Sequence, residues 1–222
     1  MNTRTFSSLA VLSFLGLFTH PALAVDPGEL NLITFENRTG DDIRYIFLSP
    51  GDSQYWGTDI LGSSRTLHDG EDLGFYIHYP DHCDNFDIYA VGSKDEAYLV
   101  YGHEICDGKE AKVRLTPRNL DDAAPDFSYT TVEIDNDTDY DIWYLFFSPG
   151  DSQMWGVDQL DKTTILEPGD ALTVLLPVHN ESMRYDVQAV DEDNDTYTFY
   201  VEIEPDREQH VYSIVNSDLD TD

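Results

Sequence analysis

The sequence predicts an all-β protein made of two tandem, small antiparallel β-sandwich domains of the immunoglobulin-like kind, each with six to seven strands. Three observations carry this. The chain repeats itself at a fixed offset, as from Trp56 to Trp155. Its apolar residues fall at strand-like alternation. Its β-branched and aromatic runs are short, bounded by Gly, Pro, Asn and Asp, and no long helical period interrupts them.

The repeat is clearest from Asn37 to Leu61, where 16 of 25 positions match Asn136 to Leu160. Its centre is Ser49-Pro50-Gly51-Asp52-Ser53-Gln54, then Trp56-Gly57 and Asp59; this returns as Ser148 to Gln153, Trp155-Gly156 and Asp158. Leu67, Gly70, Asp87 and Val91 find Leu166, Gly169, Asp186 and Val190 at the same spacing. Constant spacing over that distance means one fold used twice. The division is residues 1–24 as a signal peptide, 30–118 as the first repeat, 119–127 as a linker, 128–217 as the second repeat and 218–222 as an acidic, frayed tail.

Within a repeat the elements follow in order. Leu32–Glu36 and Thr131–Asp135 read as strands ending in Asn-x-Thr turns. In Asp42–Leu48 and Asp141–Phe147 both faces are apolar, which predicts a central strand covered on both sides. The repeated loop follows directly and is the expected cover, with Trp56 and Trp155 packing over the outer face. Asp72–Tyr79 and Ala171–Leu176 enter through Gly70 and Gly169. Hairpins then join Asn85–Gly92 to Glu96–Ile105 and Tyr185–Val190 to Thr196–Ile203. Ala111–Leu115 and His210–Val215 close the repeats.

The first residues are a leader. Arg4 precedes an apolar run from Leu9 to Phe18, and Ala22-Leu23-Ala24 is a small-x-small cleavage site. The run is too short to span a bilayer. The reading is cleavage after Ala24 and a secreted or periplasmic protein without membrane insertion. Net charge is −32, from 12 basic and 44 acidic residues. Such a field repels nucleic acid and attracts cations and basic proteins. It also keeps an exported protein soluble, above all in salt.

Several residues are candidates for chemistry. Cys83 and Cys106 fall opposite one another if the hairpin turns at Lys94-Asp95. Their counterparts, Ser182 and Pro205, were lost together, and export favours oxidation, so a disulfide is expected. His78, His82 and His103 make a zinc or copper site the competing reading. Asp191, Asp193 and Asp195 alternate as in a calcium loop, but the Gly and distal Glu of an EF-hand are missing. In the repeated loop, Asp52, Trp56, Asp59, Asp151, Trp155 and Asp158 form a candidate binding surface. The carboxylates there could hold a cation or cap the backbone, and the indoles could stack on a sugar or pack inside. Gly-x-Ser-x-Gly, His-Glu-x-x-His and phosphate-binding glycine loops are absent, and no histidine recurs at equivalent positions.

Asn37, Thr39, Gly40, Ser49, Pro50, Trp56, Gly57, Asp59, Leu61, Gly70, Cys83, Asp87 and Cys106 make up an extended pattern. It resembles that of a group of small exported bacterial proteins with no assigned activity. The resemblance implies export, a small β module and a disulfide. The second repeat departs from it at Ser182 and Pro205, and at Asp139 in place of the turn glycine. The sequence therefore reads as an exported acidic tandem-repeat binding or interaction protein without catalytic activity or cofactor, its partner a protein, a cation or a glycan. The alternatives are a calcium-dependent binding module and, after it, a carbohydrate-binding protein or hydrolase.

Overall fold

A computed structural model describes residues 25–79, 83–106, 111–121, 127–178 and 181–220. The leader expected at 1–24 lies outside them. The fold is all-β, and among the described residues the helical segments are three single 3-10 turns. The first repeat supplies β1 (Asn31–Asn37), β2 (Ile43–Pro50), β3 (Asp72–His78), β4 (Cys83–Gly92), β5 (Ala97–Cys106) and β6 (Ala111–Leu115). The second supplies β7 (Ser128–Asp137), β8 (Ile142–Pro149), the two-residue β9 (Gly156–Val157), β10 (Ala171–Val178), β11 (Met183–Asp191), β12 (Thr196–Ile203) and β13 (Gln209–Val215).

Each repeat stacks two three-stranded sheets, β6-β1-β3 on β2-β4-β5 and β13-β7-β10 on β8-β11-β12. The inward residues alternate, as a sandwich requires. Ile33, Phe35, Phe75 and Val113 from one sheet meet Ile46, Leu48, Phe86 and Ile88 from the other, all buried. Val132, Ile134 and Val174 meet Leu145, Tyr185 and Val187 in the second repeat. The hairpin pairings are antiparallel, but the last strand of each repeat runs parallel to the first. Val113 pairs with Phe35, and Tyr212 with Ile134, so the closing strands keep the repeat register.

One expectation about β2 and β8 is corrected. They are edge strands, and β4 and β11 are central. The repeated loop closes the free edge of β2, where Gly57 N–H donates to Leu48 O at 2.7 Å and Ile60 N–H to Ile46 O at 2.9 Å. The outer face is apolar because Trp56, Phe127 and Leu175 pack over the cluster around Phe47 there. A register shift near Arg44 also changes the parity, so Ile43 faces the core with Ile46 and Leu48, while Tyr45 and Phe47 face outward. The repeated Asn-x-Thr turns have a local cause. Asn37 donates to Asp41 O and Leu67 O, both at 2.8 Å, and accepts from Thr39 N–H and Oγ. Asn136 does the same with Tyr140, Leu166 and Thr138. Both amides are fully buried.

The ends of the repeats are also held. Asp121 N–H donates to Ala97 O, residues 122–126 of the expected linker lie outside the described residues, and Phe127 packs on Trp56 and Tyr89 of the first repeat. Val25 and Leu30 pack instead on Phe146, Trp155 and Val190 of the second. Each repeat's N-terminal arm therefore covers the other repeat. The tail does not fray at once: Asp220 N–H donates to Thr196 O, and its carboxylate accepts from Thr196 and Thr198.

Candidate functional site

The repeated loops cross between the repeats. Asp59 N–H donates to Leu175 O of β10 at 2.8 Å, and Asp158 N–H to Tyr76 O of β3 at 2.9 Å. Just before Asp158, Gly156 and Val157 extend the first repeat's sheet as β9, paired with His78 and Ile77. Met154 and Val157 lie in the apolar core of the first repeat, and Tyr55 packs against that of the second. The apolar tip of each loop thus completes the other half.

Asp59 and Asp158 hold the loop shape. Asp59 Oδ1 accepts from Ile46 N–H at 2.9 Å and Leu61 N–H at 3.1 Å; Asp158 Oδ1 accepts from Leu145 and Leu160 N–H at 3.0 and 3.1 Å. Both are almost wholly buried, and each leaves Oδ2 without a partner. Burial raises both carboxyls to about 7, against the pull of those backbone donors. Asp52 and Asp151 sit on the exposed rim. Asp151 accepts from Ser53 Oγ at 2.6 Å and Gln54 N–H at 3.2 Å, and Asp52 accepts from Ser152 Oγ at 2.7 Å and Gln153 N–H at 3.0 Å.

The tryptophans pack over their own outer sheets. Trp155 is 6% exposed among Phe146, Val190 and Val25. Trp56 is half-buried, its ring 5.8 Å from Tyr89 and 6.3 Å from Phe127. Neither is an open stacking platform. At the hairpin tip, Asp191 Oδ1 accepts from Asp193 and Asp195 N–H, each at 2.9 Å, and Oδ2 accepts from Tyr197 Oη at 3.0 Å. Asp191 is thereby a buried turn cap, while Asp193 and Asp195 are exposed.

Cys83 and Cys106 form a disulfide. Their pairing depends on a bulge that the sequence did not reveal. Near the turn, paired residues follow Val91 with Ala97 and Ile88 with Val100; beyond it they shift by one, to Phe86 with His103 and Cys83 with Cys106. Gly102 takes up the extra residue at φ 58°, a left-handed conformation that suits glycine. The second hairpin has neither the bulge nor the cysteines. His82 lies outside the described residues. Among the described residues, the one cluster of potential ligand atoms is Cys83, Glu104 and Cys106, which contains no histidine and whose two sulfurs are tied up in the disulfide.

Two features escaped the sequence reading. Tyr101 and Tyr200 occupy the same place on β5 and β12 and are 65% and 61% exposed. Their identity at the repeat spacing was the available signal. Tyr200 pairs across the sheet with Asp186, and the Arg184 guanidinium lies 4.5 Å from its ring centre while bonding Asp186. In the first repeat, Asp87 accepts from Gly102 N–H at 2.6 Å, on the bulge beside Tyr101. The second feature is a cleft of about 260 Å³ between the repeats, bounded by Asp59, Ser63, Arg65, Asp161, Leu172 and Thr173. Arg65 and Asp161 close an ion pair across it.

No protein-family model and no curated protein matches the chain. Among solved structures, it is similar to a protein from Eubacterium rectale solved by NMR, at 17% identity and a TM-score of 0.32, over 42% of this chain and 82% of that one. It is similar to CBMbc (family CBM26) from Eubacterium rectale Amy13K in complex with maltoheptaose, at 11% identity and 0.23, over 86% and 93%. It is also similar to fibronectin(III)-like modules of Clostridium thermocellum CbhA, at 10% and 0.20, over 81% and 94%. Likeness at this level carries no functional weight.

Proposed function

We propose that the chain is an exported, non-catalytic binding protein whose repeats each present a flat recognition face around Tyr101 and Tyr200. The repeated loop is not that face, because its groups are spent on joining the halves. What supports the reading is one observation: a tyrosine kept at the same place in both repeats while more than 60% exposed in each. Core packing constrains neither residue; single exposed apolar residues are ordinary, so it is the recurrence in both repeats, and not the exposure by itself, that points to contact with a partner. An aromatic ring beside a carboxylate, Asp87 or Asp186, offers an apolar plate with a hydrogen-bond acceptor at its rim. That combination suits the hydroxyl-bearing faces of a neutral glycan. The net charge of −32 disfavours acidic polysaccharides.

The raised carboxyls of Asp59 and Asp158 do not argue for an enzyme. Asp158 does not line the cleft, yet it is shifted as far as Asp59. Loop burial common to both accounts for the shift.

Affinity electrophoresis through gels containing neutral soluble polysaccharides tests the proposal. The wild-type chain should be retarded, Tyr101→Ala and Tyr200→Ala each less so, and the double variant not at all, with unchanged melting temperatures. Two linked sites strengthen binding beyond either alone, so each single loss should be disproportionate. Retardation that survives the double substitution, or no retardation by any neutral polysaccharide, contradicts the reading.

A further inference from the structure

At the end of the first repeat where the Asn37 turn meets the β4–β5 hairpin tip, basic side chains neutralise the carboxylates. Arg44 donates to Asp95 and, at 3.1 Å, to Gly92 O. Lys94 Nζ lies 3.2 Å from Asp41, His68 Nδ1 lies 3.1 Å from Asp42, and Arg38 donates to Asp72 at 2.6 Å. The second repeat keeps the backbone of this end. Ile142 and Leu166 exchange two backbone hydrogen bonds of 3.0 Å, as Ile43 and Leu67 do, and Glu192 N–H donates to Asp141 O where Ser93 N–H donates to Asp42 O. The basic residues are gone: at the repeat spacing Arg38, Arg44, His68 and Lys94 become Asp137, Trp143, Glu167 and Asp193. Asp141 and Glu167 stand where Asp42 and His68 pair. Among the described residues, neither of them, nor Asp137 or Asp193, has a cation within ion-pair distance.

The same end also carries an exposed apolar pair. Trp143 is 42% exposed, and Ile165, beside it across the Ile142–Leu166 bridge, is 46% exposed. Their equivalents are Arg44 and Thr66, so the polar pair of one repeat is an apolar pair in the other. Glu167, Glu192 and Asp193 around it are exposed as well, so their carboxylates are open to a partner. An aromatic centre within a charged rim is the anatomy of a binding hot spot.

We propose that this end of the second repeat docks a basic segment of a partner polypeptide, with an arginine side chain against Trp143 and Ile165 and neighbouring cations against Asp141, Glu167 and Asp193. Arginine fits better than lysine, because its weakly hydrated, planar guanidinium stacks on an indole while its donors reach carboxylates at the rim. The first repeat makes this pair of contacts internally: the Arg44 guanidinium lies 5.6 Å from the Tyr45 ring centre and bonds Asp95. The second repeat leaves the guanidinium to be supplied by another chain. The surface involves neither Tyr101 nor Tyr200 and does not depend on what those faces bind.

The test is titration of the full chain, at neutral pH and about 150 mM salt to screen diffuse attraction, with the peptide acetyl-Arg-Gly-Arg-Gly-Arg amide. The control peptide carries citrulline, the neutral isostere, at each arginine. Binding of the arginine peptide should saturate and shift the Trp143 indole N–H resonance while those of Trp56 and Trp155 stay in place; the citrulline peptide should do neither. Trp143→Ala should weaken binding at least fivefold at an unchanged melting temperature. Trp143→Arg with Glu167→His and Asp193→Lys restores the first-repeat set and should weaken binding at least tenfold. Asp206→Lys with Glu208→Lys, beyond the far end of β12, makes an equal change in net charge and should leave binding within twofold. No saturable binding, equal binding of the two peptides, an unmoved Trp143 resonance, or equal losses in the two charge-altered variants would each overturn the proposal. Self-association of the chain alone that Trp143→Ala abolishes would assign the surface to a second copy and overturn it too.

Discussion

Asp52 and Asp151 hold each other's loops: Asp151 accepts from Ser53 Oγ at 2.6 Å, and Asp52 accepts from Ser152 Oγ at 2.7 Å. These bonds are exposed and worth little individually. Their weight is geometric, since they fix the crossing that delivers apolar groups into the opposite core.

Met154 is one of those groups, 5% exposed in the core of the first repeat although it belongs to the second. Met154→Ala should destabilise the chain by about 2–5 kcal/mol. Hydrogen exchange should show protection lost around Ile77 in β3. Loss confined to the second repeat would argue against the exchange.

The two tryptophans should differ. Trp155→Ala removes a buried ring and should cost about 3–5 kcal/mol in chemical denaturation. Trp56 is half-buried, and its loss should cost clearly less. Equal costs, or an unchanged midpoint for Trp155→Ala, would refute the packing described.

Stability should fall from mildly acidic to mildly alkaline pH. Native Asp59 and Asp158 hold their protons to about 7, against the ordinary value of 3.8. Between those values the native state binds more protons than the unfolded chain, so its stability declines as pH rises through that window. Relief of like-charge repulsion in acid acts in the same direction, so the variant is needed as the control. Unfolding midpoints at pH of about 5 and about 8 should drop for the wild type by the equivalent of a few kcal/mol. The drop should be much smaller for Asp59→Asn with Asp158→Asn. Equal slopes would show that the two carboxyls are not the cause.

The disulfide staples the first repeat, and because the halves unfold together its loss should lower the stability of the whole chain. Cys83 and Cys106 are 23 residues apart, and closing such a loop stabilises by about 3 kcal/mol. Serine at both positions should lower the melting temperature by about 6–12 °C. A change of less than 2 °C would contradict that estimate.

Much of this was legible in the residues. Alternation within β1 and β6, the turns at Asn37 and Asn136, and the two hairpins could be read from local pattern, because local sterics and one-sided burial set them. The Cys83–Cys106 pairing was read correctly from the register, although it depends on the bulge at Gly102. The path of the repeated loop was not legible. Ser-Pro-Gly-Asp marks a break, but no local rule says whether the following segment covers its own repeat or its neighbour. Tyr55 and Met154, apolar at an otherwise polar tip, were the clue that the tip needed an apolar place elsewhere. The edge position of β2 was hidden for the same reason: its cover comes from a loop that pairs irregularly along it. The exposure of Tyr101 and Tyr200 follows from which sheet face stays open, which only the assembled fold decides.

Differential scanning calorimetry of the whole chain tests the reciprocal exchange most directly. If each half completes the other, unfolding is one cooperative event, and the calorimetric enthalpy for the full chain equals the van't Hoff enthalpy. Two resolved transitions, or a calorimetric enthalpy near twice the van't Hoff value, would mean the halves fold independently and would contradict the account.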